Sequence, residues 1–146
     1  MLAITAVLGC ALALAIQVPR HLNHDVAYFA WVAVQVSHGA VFGVDILELN
    51  PPLAFLIYLP AVWLAKLFGY DLAVKLWMGV LFLASATVLS RTAPDRFRLP
   101  LTIALSLFFA LGFPREFGQR EQIAVLLTAS YVAGYADRRS GTSLAA

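Results

Sequence analysis

The sequence predicts an all-α integral membrane protein: a bundle of four to five transmembrane helices, with one interfacial helix in the first large loop. Three observations carry this expectation. Of the 146 residues, 62% are hydrophobic and only 12% are charged. A soluble domain averages about 25% charged residues, and half that figure leaves too few to cover a water-facing surface. The hydrophobic residues fall into long runs, and no stretch alternates with the period of two that marks a half-buried strand.

The elements follow in chain order. The first run, 2–18, stops at Val18-Pro19-Arg20 and reaches the ~17-residue lower limit for a span. Its Val7-Leu8-Gly9-Cys10 segment lacks the basic stretch that precedes a lipoprotein or secretory cleavage site, so it reads as an uncleaved first helix. Cys10 is the single cysteine, which rules out an intrachain disulfide. The run 26–36 is too short to cross and reads as a helix lying in the interface. The run 51–67 opens on Pro51-Pro52, which suits a first helical turn, where a missing N–H costs nothing. A tight turn, Phe68-Gly69-Tyr70-Asp71, leads into 72–90. The runs 100–113 and 123–136 follow polar loops at 91–98 and 114–121. Both are short and need flanking residues or a thinned bilayer to cross. Residues 1–136 make one helical membrane domain, and 137–146 a short polar tail whose Ser140-Gly141-Thr142-Ser143 reads as disordered.

Lysine and arginine in short loops orient such a bundle. The loop 91–98 holds three arginines and the tail holds Arg138 and Arg139, which marks both as cytoplasmic. The loop 19–50 sets Arg20 against Asp25, Asp45 and Glu48, which favours the outside. If 51–67 and 72–90 both crossed, loops 19–50 and 91–98 would share a side. Pro60 in the middle of 51–67 and Lys66 near its end suggest one resolution, that this segment does not fully cross; otherwise Arg20 is the guide and residues 19–50 are cytoplasmic. The expected location is a bacterial-type inner (plasma) membrane. A net charge of +2 without a basic run excludes nucleic acid as a partner.

Two stretches suggest chemistry beyond burial. One is His24-Asp25-Val26-Ala27-Tyr28-Phe29, followed by Leu49-Asn50-Pro51-Pro52-Leu53. A carboxylate at a membrane surface is costly to desolvate and usually has a task there. If Asn23 or His24 opens a helix, Asp25, Tyr28, Val32 and Gln35 share one stripe. Asp25 is then either a helix-start residue favoured by the dipole or a general base or metal ligand. The spacing of His21, His24 and Asp25 also allows a metal site. Glu48 reads equally as a solvated loop charge, and Asn50 as a helix cap. The other stretch, 116–122, packs charged and amide side chains between apolar runs. Arg115, Arg120, Glu116 and Glu121 can pair among themselves, or an arginine can hold a phosphate through its bidentate fork.

Asp25 with Tyr28, the Gly39…Asp45 loop and Asn50-Pro51-Pro52-Leu53 together resemble the amino-terminal end of membrane glycosyltransferases of the C superfamily. That group includes the protein O-mannosyltransferases and the aminoarabinose transferases of lipid A. The resemblance covers roughly residues 1–136 and rests on the order of its motifs: first helix, acidic loop, Pro-Pro-Leu helix, Leu-Phe-Gly turn, further polar segment. It implies a sugar transferred from a polyprenyl-phosphate donor to an acceptor hydroxyl at the extracytoplasmic face. Asp25 corresponds to the first-loop carboxylate, a catalytic base. Tyr28, Glu48, Asn50, Arg115, Arg120 and Glu121 become candidates for binding substrate. Arg120 or Arg115, or a divalent cation such as magnesium or manganese, would hold the leaving phosphate. The chain departs from the family at Val26, where many members carry a second acidic residue, and at Asn50, where many carry lysine. Members are several times longer, so the resemblance reads the chain as an amino-terminal fragment, a truncated reading frame or a divergent minimal protein. The competing readings are a non-enzymatic scaffold or assembly subunit and a small transporter. A transporter should carry an internal repeat, and the sequence has none.

Overall fold

The computed structural model of the chain describes residues 1–112 and 115–143. They form seven helices: α1 (Leu2–Gln17), α2 (His24–Ser37), α3 (Leu53–Leu56), α4 (Leu59–Phe68), α5 (Tyr70–Thr92), α6 (Asp95–Leu111) and α7 (Arg120–Ser143). Among the described residues there is no strand, only an isolated bridge between Phe42 and Ile46. The all-α expectation therefore holds.

Local chemistry sets the boundaries. Asn23 caps α2 by accepting the Asp25 amide at 2.9 Å. Pro60 cannot donate an amide to the preceding turn, so the run 51–67 breaks after Leu56 and restarts at Leu59. Gly69, at φ 76°, ends α4 and begins α5. The loop expected over 91–98 shrinks to Ala93 and Pro94, because α5 runs on to Thr92 and α6 starts at Asp95. There Asp95 meets Arg98 at 2.8 Å, one turn on. Helix α7 continues into the stretch expected as a tail. Residues 113–114 and 144–146 lie outside the described set.

Helix directions follow from named contacts. The Lys75 ammonium reaches the Val18 and Arg20 carbonyls, and the Gly79 backbone packs on Cys10, so α1 and α5 run antiparallel. Phe82 of α5 stacks on Phe109 of α6, with centroids 4.5 Å apart. Gly118 lies against Val74 and Met78, and further along Ser85 donates to the Leu126 carbonyl, so α7 runs alongside α5 in the same direction. One end of the bundle gathers the end of α1, the starts of α2, α5 and α7, and the turn at 115–119. The other end holds Met1 and the α5–α6 link with Arg91, Arg96 and Arg98.

Helices α3 and α4 start and finish at the first end. Tyr58 donates to the Gly118 carbonyl at 2.6 Å, the Trp77 indole donates to Ile57, and Asp71, just past α4, accepts the Leu22 amide at 3.0 Å. The broken segment 51–67 therefore turns back and does not run the length of the bundle. That places loop 19–50 at the end of the bundle opposite the α5–α6 link and its flanking arginines.

The expectation of four to five spanning helices is not met on length. Among the described residues, only α5 is long and apolar enough to cross a membrane. Helix α1 has 16 residues, about 24 Å at 1.5 Å per residue, against a hydrocarbon core of about 30 Å. Helix α6 has 17 residues, with Asp95, Arg96 and Arg98 in its first turn.

Candidate functional site

Most of the residues selected from sequence meet at the end of the bundle where α2, the 39–50 loop and α7 converge. A cleft of ≈ 320 Å³ is lined by Asp25, Tyr28, Phe29, Asn50, Gln119, Arg120 and Glu121. Asp25 and Glu121, far apart in sequence, thus face one cleft. Asp25 comes from the first turn of α2 and Glu121 from the first turn of α7, where the helix dipole favours a negative charge.

A continuous polar chain crosses the cleft. Glu48 Oε1 accepts the Leu49 amide at 2.8 Å, the Asn50 amide at 3.0 Å and the Asn50 side-chain amide at 2.8 Å. The Tyr28 hydroxyl donates to the same carboxylate. That hydrogen bond, with those from Asn50, holds the Glu48 carboxyl down to about 2 and raises the Tyr28 hydroxyl above its ordinary value. The Asn50 carbonyl oxygen accepts from the Arg120 guanidinium. Arg120 Nε donates to Glu121 Oε1 at 2.9 Å. The guanidinium also lies over the Phe29 ring, 5.3 Å from its centroid, a cation–π contact that fixes its plane. Asp25 lies close enough to act on Arg120 electrostatically.

Buried neighbours hold this arrangement. Phe29 stacks on Tyr58 at 6.3 Å, and Tyr58 is fully buried with its hydroxyl on Gly118. Gln122, also buried, accepts the Gly118 amide at 2.9 Å. Gly118 has φ +90°, a conformation that costs other residues strain. The turn that delivers Arg120 is therefore bonded on both its N–H and its C=O side. In the sequence alone, Phe29 and Tyr58 look like interface anchors or bundle packing, and Gln122 like one more amide of the polar stretch 116–122. Their signal, aromatic and amide side chains inside apolar runs, does not separate support of a site from ordinary core.

Asn50 is not the cap of α3, whose N-cap is Pro52 without a side-chain bond; its amide joins Glu48 to Arg120 instead. Arg115 does not reach the cleft. It lines a separate cavity with Arg20, His21 and Lys75, so the proposed four-residue network of Arg115, Glu116, Arg120 and Glu121 reduces to the Arg120–Glu121 pair. His24 meets Asp25 at 3.0 Å, but His21 faces that other cavity. Among the described residues, no three His, Cys, Asp or Glu side chains gather as a metal-ligand set. Glu48 and Glu121 are already engaged by Tyr28, Asn50 and Arg120.

The cleft adjoins a second, larger space. An apolar groove of ≈ 520 Å³ runs between α3 and α7, lined by Pro51, Leu53, Ala54, Ile57, Ile123, Ala124 and Leu127, with Asn50, Arg120 and Glu121 at its mouth. These last three residues belong to both spaces. Comparison with protein-family models, curated proteins and solved structures finds no match to this chain.

Proposed function

We propose that the chain is a membrane glycosyltransferase, or the amino-terminal part of one, that takes a sugar from a polyprenyl-phosphate donor at the extracytoplasmic face. The observation that carries this reading is the junction of a charged cleft with an apolar groove at Arg120. A donor of this class has the same division: a polar sugar phosphate joined to a long hydrocarbon. The phosphate would lie at Arg120, the first isoprene units along α3 and α7, and the sugar in the cleft toward Asp25.

The chemistry divides accordingly. Asp25 takes the proton from the acceptor hydroxyl as that oxygen attacks the anomeric carbon. The bond from the anomeric carbon to the phosphate oxygen breaks, and the phosphate leaves with the electron pair. Arg120 holds the charge that develops there, already oriented by Asn50, Glu121 and Phe29, so little reorganisation is needed in the transition state. Glu48 is a positioning residue, acting through Asn50.

Membrane embedding is part of the proposal. Exposed apolar side chains line the outer faces of the bundle: Ile4, Val7 and Leu8 on α1, Val80 on α5, Leu101 and Leu107 on α6, Val125 and Val132 on α7. Apolar surface this extensive suits lipid better than water. Small residues let the helices approach closely, with Gly9 against Ser106 and Gly79 against Cys10, as in membrane bundles. In this reading α1, α5, α6 and α7 cross, while α2 and the α3–α4 pair lie at the outer surface. The α5–α6 link, with its arginines, is cytoplasmic.

The test is sugar transfer by the purified chain in lipid, offered a panel of polyprenyl-phosphate sugars. Wild type is expected to turn over, and Asp25→Asn to lose about 100-fold or more, the usual contribution of a general base. Absence of transfer from every donor, or an Asp25→Asn variant as active as wild type, overturns the assignment. A scaffold subunit accounts for the bundle but not for an arginine set at the meeting point of a polar cleft and an apolar groove.

A further inference from the structure

The end of the first large loop is inside out for a segment in water. Ile46 is buried, and Glu48 and Asn50 turn to the cleft, where Glu48 bonds the Asn50 side chain and the Tyr28 hydroxyl. Leu47 and Leu49 alternate with them and face outward, Leu47 84% exposed and Leu49 completely. Alternate residues of an extended segment face opposite sides. Here the polar side chains take the protein side and the leucines the outer side, the reverse of what surrounding water selects. Leu53, at the start of α3, is 69% exposed and continues the apolar edge. We infer that Leu47, Leu49 and Leu53 form a lip that contacts membrane lipid, seated among the acyl chains of the outer leaflet. The inference rests on the membrane embedding proposed above and not on sugar transfer.

Two further features select lipid. The lip adjoins the apolar groove: Leu53 is part of its wall, and Asn50, between Leu49 and Leu53 in the chain, stands at its mouth. The facing wall includes Leu127 of α7, seven residues past Arg120 and so about 10 Å further along the helix. With α7 crossing the membrane, that wall lies at the depth of hydrocarbon, and Leu53 stands across the groove from it. The Phe42 ring packs on Phe55 of α3, centroids 5.4 Å apart, which fixes the loop against the same wall. The segment is also fitted to an apolar medium. The backbone amides of Leu49 and Asn50 both donate to Glu48 Oε1, and the Asp45 carboxylate accepts the Val41 amide at 2.8 Å, so these N–H groups need no water. A second copy of the chain is the poorer occupant. A stable protein interface buries about 800 Å² on each partner, more than three leucines provide.

The experiment measures which medium surrounds the lip. The full chain, with Cys10→Ala, is reconstituted in phosphatidylcholine vesicles and carries one nitroxide label at Leu47→Cys, Leu49→Cys or Leu53→Cys. Collision of the label with oxygen, which concentrates in hydrocarbon, is compared with collision with a water-soluble nickel chelate. Val80→Cys, on the outer face of α5, is the reference for lipid, and Asp45→Cys, an exposed position of the same loop, is the reference for water. The expected result is an oxygen-to-nickel ratio shifted from the Asp45 value towards the Val80 value at all three lip positions. A ratio at Leu47 and Leu49 equal to that at Asp45, while Val80 favours oxygen, places the lip in water and overturns the inference but not the membrane embedding. Nickel favoured at Val80 as well overturns both. Labels at Leu47 and Leu49 shielded from oxygen and nickel alike, or broadened by a second label nearby, show a lip covered by protein, which also overturns the inference.

Discussion

At the scale of single residues, the site is a set of charges held in place by their neighbours. Glu48 sits at its outer edge, bonded by the Tyr28 hydroxyl and by both amides of Asn50. Its carboxyl lies below the ordinary value of 4.5, at about 2. A depressed carboxyl contributes stability that is fully present above its unfolded value and is lost as pH falls through the folded one. The gap in melting temperature between wild type and Glu48→Gln should therefore be constant above about pH 5 and close as pH falls towards 2. A gap that stays unchanged across that range would contradict the Tyr28–Glu48–Asn50 chain. Asp25, Tyr28, Glu48, Asn50, Arg120 and Glu121, the candidates that the family resemblance implies together with Arg115, meet at one end of the bundle. The division between Arg120 and Arg115 was not legible. Both are arginines in one short polar stretch. Which of them enters the cleft is decided by the Gly118 turn, and that turn is held by Tyr58 and Gln122 through contacts that no local pattern announces.

At the scale of elements, the informative feature is the failure of 51–67 to form one helix. Pro60 removes a donor and the chain folds back as α3 and α4, which brings Asn50 and Ile57 to the start of α7 and creates the apolar groove. The sequence carried that signal in Pro60. The extension of α5 and α6 through the polar stretch 91–98 was harder to read, because Arg91 and Asp95–Arg98 are compatible with either a loop or a solvated helix face. Packing between α1 and α6 depends on Gly9, where an added Cβ would lie 2.5 Å from Ser106 Cβ. Gly9→Ala forces the two helices apart and should destabilise the protein by about 1–3 kcal/mol. Ser106→Gly in the same chain should recover part of that loss. Thermal unfolding in detergent measures both; a Gly9→Ala chain as stable as wild type would show that α1 and α6 do not pack as described.

At the scale of the whole molecule, the proposal sets the cleft and the arginine-bearing link on opposite faces of a membrane. In a chain with Cys10→Ala, a membrane-impermeant maleimide should label Asp45→Cys in intact cells and Thr92→Cys only after permeabilisation. Equal labelling of both before permeabilisation would remove the proposed topology. The all-α class was legible in the long apolar runs and in the lack of any alternation with the period of a strand. The number of crossings was not, because α1 and α6 fall near the length limit and hydropathy cannot distinguish a short span from a buried core helix. The central claim is that Arg120 joins a phosphate-binding cleft to a groove for hydrocarbon. The most direct measurement is the affinity of the purified chain for a short polyprenyl phosphate against the matching alcohol, in wild type and in Arg120→Gln. The account predicts that wild type binds the phosphate about tenfold or more tightly than the alcohol, and that Arg120→Gln abolishes the difference. Equal affinity for phosphate and alcohol in wild type, or a preference that survives in Arg120→Gln, would contradict it.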